Sequence, residues 1–227
     1  MVISDLRCIR RKDSVEDDLV DLPLLITYNG HVSDCLRSQP SQVTTVSMEN
    51  ITDAKPDTIV EIAPDGDLIL VVGSEETKLR VHSMLMMAVL KPFSVMLGPD
   101  WKEGHGIRDH DGLSELSLPD DDAVALEIIC SIIHYQNKQV PRTLPACDFL
   151  AVAVVADKYG CMDALTFASE TWLRISGDEP ENLMLLTAAA YLFNNSQAFN
   201  KITGALVVDY DGPYLALCVD EIESIIP

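Results

Sequence analysis

The run Asp67-Leu68-Ile69-Leu70-Val71-Val72-Gly73 limits most tightly what this chain can fold into. Five consecutive apolar residues ending at a glycine are too few for a helix and suit a strand. Apolar character on both sides of the pleat predicts burial on both faces. Gly73-Ser74-Glu75-Glu76 is a polar turn, and Thr77–His82 alternates polar and apolar residues, so a half-exposed second strand closes a hairpin. Upstream, Thr58–Ala63 reads as an extended stretch, and Pro64-Asp65-Gly66 is a turn signal.

After Ser83 the apolar period changes from two residues to between three and four. Ser83 is placed to cap a helix in which Met84, Met87, Ala88 and Lys91 share helical spacing, and Pro92 limits it. A second short helix is expected over Pro92–Leu97, closed by Gly98-Pro99. Leu113–Leu118 alternates again and marks a third strand. Asp120, Asp121 and Asp122 then open the helix Ala123–Tyr135, capping it and complementing its dipole. Asp148–Tyr159 is apolar nearly all round, which predicts a central helix, and Gly160 suits a left-handed cap. Further helices are expected over about Met162–Ile175 and Pro180–Phe193, then one capped by Ser196 and ending near Val208, and a last one over Tyr214–Ile225. The expected class is α+β: about three short strands packed on a cluster of helices, then a helical C-terminal extension. The division is an N-terminal arm over 1–55, a mixed domain over 56–165 and the extension over 166–227. Within the arm, Ser33–Asn50 is rich in Ser, Thr and Gln and buries too little to offset its ordering entropy, so the arm is expected to be largely disordered. Leu22–Tyr28 is its one candidate docking element.

Charge excludes some functions. With 16 basic against 36 acidic residues the net charge is −20, which disfavours a nucleic-acid partner, since phosphates are bound through clustered Lys and Arg. The apolar run Phe149–Ala156 is far below the roughly 20 residues of a membrane span. The N-terminus has Arg7, Arg10, Arg11 and Lys12 but no apolar segment of the secretory type. The six cysteines form no Cys-x-x-Cys pair, so free thiols in a reducing compartment, cytoplasm or nucleus, are expected.

Candidate chemistry is sparse. No phosphate-binding loop, nucleophile elbow or zinc-protease motif is present, and no catalytic residue or cofactor is assigned. Glu75 and Glu76 are adjacent without an orienting neighbour. His105, Asp109, His110 and Asp111 crowd one loop, which fits either a solvated polar segment or a metal site; no metal is assigned. Asp67 and His82 face each other across the hairpin, as an ion pair or as a hydrogen bond shaping the strand-to-helix turn. Met84, Met86, Met87 and Met96 read as core fillers or as an adaptable binding surface.

In order, these elements resemble the BTB/POZ domain, and the whole chain is similar to the short BTB-only proteins common in filamentous fungi. The strand led by Asp67 resembles the family's first core strand, and Lys78–His82 the second, ending in the family's His. Phe93 and Met96 match a Phe and a Met of its short helix. Leu116-Ser117-Leu118-Pro119-Asp120-Asp121 matches the third strand, and Ala156-Asp157-Lys158-Tyr159-Gly160 a helix end with its Asp and Tyr. His134-Tyr135 stands where a Tyr-Thr-Gly ending is frequent, but Gln136 and Asn137 follow. Leu90 replaces a Ser, and Ser83 replaces a basic residue that completes the corepressor pocket of dimeric repressors. The resemblance implies a non-enzymatic protein-interaction module. BTB domains that recruit a cullin scaffold carry a hydrophobic-x-Glu motif after the Phe-Met helix, and Trp101-Lys102-Glu103 falls there. It implies a cullin-binding adaptor for a ubiquitin ligase, with Trp101, Glu103, Phe93 and Met96 as partner-binding residues. Leu113-Ser114-Glu115 also fits that motif. The family alternative is self-association as a homodimer, with Thr58–Ile62 as the added strand.

Overall fold

The computed structural model describes residues 59–98, 113–173 and 180–214, with Leu217, Ile222 and Ile225. The arm 1–55, the Trp101-Lys102-Glu103 triplet, the histidine loop and most of the last expected helix lie outside the described residues.

The hairpin forms where the patterning places it. Strands β2 (Leu68–Val72) and β3 (Thr77–Val81) are antiparallel, with Leu70 opposite Leu79. Four of the five β2 residues are buried, as befits a strand with neighbours on both edges. Gly73 turns the chain at φ 72°, and its N–H donates to the Leu118 carbonyl at 3.0 Å. A Cβ there would come within 3.3 Å of the Asp121 carbonyl, so a side chain meets both strain and a neighbour.

The sheet has four strands in the order β1-β3-β2-β4. β1 (Ile59–Glu61) is the extended stretch seen in the sequence; it lies parallel to β3, with Val60 opposite Leu79. Three residues are too few to show a period, so its pairing is decided by contact with β3. β4 (Ser114–Leu118) runs parallel to β2, with Leu70 opposite Leu116.

Helix α1 (Ser83–Val89) stops at Leu90, which is extended and fully buried, and α2 (Lys91–Met96) carries Pro92 in its first turn. Proline has no N–H and clashes with the carbonyl four residues back, so one continuous helix cannot form. Ser83 is the first residue of α1 and not its cap; His82 holds that position. Helix α3 (Ala123–Ile133) is capped by Asp122, whose carboxylate accepts the Ala125 N–H at 2.8 Å. It ends two residues before the expected Tyr135, which takes φ 59°. Helix α4 (Ala146–Tyr159) is buried along most of its length and ends at Gly160 with φ 65°. The single helix expected from Met162 is a 3₁₀ turn, Met162–Leu165, followed by α5 (Thr166–Trp172).

Helix α6 (Pro180–Leu192) buries every residue from Leu183 to Ala190, and α7 (Ser196–Asp209) is capped by Asn195, not Ser196. The Phe149 ring of α4 stacks on Phe193 at 5.5 Å and meets the Trp172 edge at 5.6 Å. One apolar core therefore runs from the sheet through α4 into the C-terminal helices. The class is α+β, a small sheet packed on helices. Among the described residues no helix is long and apolar enough to cross a membrane.

Candidate functional site

Three groups of side chains merit weighing: the start of α1, the end of α4 and the outward face of α1 and α2.

At the start of α1, Asp67 meets Ser83 and not the His82 ring. Its Oδ1 accepts the Ser83 backbone N–H at 2.8 Å and its Oδ2 accepts the Ser83 hydroxyl at 2.6 Å. His82 offers no side-chain cap, so a carboxylate from before β2 satisfies an orphan N–H of the helix. Burial pushes the Asp67 carboxyl up, but the two Ser83 bonds and the nearby His82 outweigh it and hold the group below its ordinary range. Ser83, 3% exposed, offers Asp67 two neutral donors. His82 instead reaches Asp65, at 3.3 Å from Nε2, and stacks on His134 at 5.8 Å.

At the end of α4, Asp121 is 2% exposed and carries two partners. Lys158 Nζ lies 2.6 Å from Oδ1, and the Tyr159 hydroxyl donates to Oδ2 at 2.5 Å. Burial raises the Tyr159 pKa well above its ordinary value, and the Asp121 charge adds to it. The Phe93 edge closes the group at 5.3 Å from the Tyr159 ring. The sequence reading identified Tyr159 and Asp157, yet the carboxylate that reaches Tyr159 is Asp121. Asp157 is half-buried, and its carbonyl accepts the Gly160 N–H at 3.1 Å. Asp121 and Lys158 were missed as a pair because 37 residues separate them. The available hint was three aspartates where one cap suffices.

These clusters use their polar atoms on one another. Among the described residues no buried side-chain N or O lacks a partner, and no group of His, Cys, Asp and Glu is arranged to hold a metal ion. Two of the described thiols are poor nucleophiles: burial drives Cys130 far up, and burial with the Asp148 charge raises Cys147.

The third group faces outward. Met84 is 75% exposed on α1, Ala88 lies one turn further on the same side and is exposed, and Val95 is 51% exposed on α2. The four methionines divide: Met86 and Met96 are core, Met87 is half-buried, and Met84 stands in solvent. Phe93 and Met96, expected to touch a partner, are 0% and 3% exposed. They set α2 from the inside, and direct partner contact by them does not fit their burial. In comparison with known proteins, no family model and no curated protein matches the chain.

Proposed function

We propose that this chain is a non-enzymatic protein-interaction module of the BTB/POZ type that self-associates through the outward face of α1. The observation that carries the reading is Met84: a flexible apolar side chain, 75% exposed, on a helix fixed from behind by Met86 and at its start by Asp67. A rigid helix that presents an adaptable apolar residue loses little entropy when a partner covers it. The ordered resemblance of strands and helices to the BTB/POZ pattern supports a second copy as that partner. Setting: a reducing compartment, cytoplasm or nucleus. Cys130, Cys147 and Cys161 are unbridged, which agrees with it. Multi-angle light scattering at tens of micromolar protein tests the reading. A dimer mass for the natural chain and a monomer mass for a folded Met84→Asp variant are expected; a natural chain that remains monomeric overturns it.

A second reading rests on Trp101 and Glu103, which follow α2 where cullin-recruiting BTB domains carry their hydrophobic-x-Glu motif. An exposed Trp anchors well in a partner's pocket and a nearby carboxylate fixes register. Here the chain is an adaptor between a cullin and a substrate held elsewhere on its surface. A Trp101→Ala, Glu103→Lys double variant should lose cullin in a pulldown, and equal recovery from variant and natural chain would sink the adaptor.

A further inference from the structure

The start of α1 depends on the protonation state of a buried imidazole. His82, the cap residue of α1, donates its backbone N–H to His134 Nε2 over 2.9 Å. On the other side of the ring, His134 Nδ1 lies 2.8 Å from the Cys130 carbonyl. A carbonyl only accepts, so Nδ1 carries the proton; a backbone amide only donates, so Nε2 carries none. Together the two bonds require the neutral Nδ1–H tautomer. A proton added at Nε2 sets one N–H against another and leaves the His82 amide without its acceptor.

We propose that His134 is a proton-operated latch on α1: neutral, it holds the His82 amide and fixes the helix start; protonated, it releases that amide and loosens the first turn. Its surroundings favour the neutral form, with the Cys130 carbonyl alone acting the other way. His134 is 8% exposed. From its own helix it faces Cys130, whose thiol burial keeps protonated. From the β3–α1 junction it faces His82, whose ring is nearly parallel to it, 18° between planes. The two carboxylates nearby are engaged there, Asp65 with the His82 ring and Asp67 with Ser83. Two residues beyond the ring, the Gln136 amide donates to the Ile62 carbonyl, a neutral tie to the β1–β2 segment. Burial lowers the His134 pKa, a charged His82 lowers it further, and the Cys130 bond opposes them. The latch therefore opens below the ordinary value of 6.5. The latch stands on its own geometry; its effect on a partner rests on the reading of α1 given above.

NMR on the full chain tests it, with imidazole ¹⁵N shifts reporting the His134 tautomer and hydrogen exchange, corrected for intrinsic rates, reporting protection of the His82 amide. The Nδ1–H tautomer is expected at neutral pH, with protection falling about tenfold or more as the ring titrates. In His134→Gln, which keeps a donor and an acceptor but has no titration, protection should stay level over the same range. An Nε2–H tautomer at neutral pH, or an equal fall in His134→Gln, overturns the latch. If that variant does not fold, the natural chain decides: ring and amide must change at the same pH, and separate midpoints overturn the proposal. Light scattering on the same samples separates the two ideas. Loss of protection with no change from a dimer mass keeps the latch and removes α1 as the dimer contact.

Discussion

Asp67 and Asp121 both stand beside the sheet, Asp67 just before β2 and Asp121 just after β4, and both hold a helix end. Asp67 binds the start of α1 through Ser83, and Asp121 binds the end of α4 through Lys158 and Tyr159. Their surroundings differ. Asp67 is exposed and two neutral donors suffice, because water serves its remaining lone pairs. Asp121 is 2% exposed and has an ammonium and a phenol as partners, as a carboxylate shut away from water requires. The same side chain beside the same sheet thus locks the interior in one place and trims a helix start in the other.

The comparison breaks most readily at the buried site. Asp121→Ala strands the Tyr159 hydroxyl and the Lys158 ammonium and should cost roughly 3 kcal/mol of unfolding free energy, measured by urea denaturation. A loss no larger than that of a surface substitution would show that Asp121 is not a lock. Tyr159→Phe keeps the ring against Phe93 and the Lys158 pair but removes one bond to a carboxylate, so about 1–3 kcal/mol is expected by the same measurement. Ser83→Ala removes the 2.6 Å hydroxyl bond and leaves the amide bond, and about 1 kcal/mol is expected.

Acid sharpens the contrast. The folded Asp67 pKa is lowered, so its contribution is full above the ordinary 3.8 and is lost as the pH falls through the lower folded value. The gap between the natural chain and Ser83→Ala should therefore narrow below that pH, and a constant gap would detach Ser83 from the Asp67 charge. For His134 the folded pKa is also lowered, but the group is a base. Its neutral form gives full stability above 6.5, and stability declines as the pH drops below that value. The smallest effect belongs to Met84→Asp. Thermal unfolding of the monomer should shift by no more than about 0.5 kcal/mol equivalent, since the side chain touches little of the core.

Much of the fold was legible locally. The buried strand over Leu68–Val72, the hairpin after it, the Asp122 cap and the Gly160 stop follow from short-range rules, in which a residue's neighbours in sequence are also its neighbours in space. The readings that changed involved choices between equivalent local candidates. Ser83 and Ser196 both suit a cap, but the cap positions went to His82 and Asn195. Of three aspartates before α3, Asp122 caps the helix while Asp121 turns inward. Met84 and Met86 are two residues apart, and which of them faces the core depends on where α1 lies against α3.

Apolar periodicity and turn chemistry act within a few residues, so the class of fold, the order of its elements and most buried positions are already written in the chain. That Asp67 belongs to Ser83, Asp121 to Lys158 and Tyr159, and His134 to the His82 amide emerges only from packing. Each of these bonds spans 16 or more positions, and a donor finds such a partner only after packing has brought the two elements together.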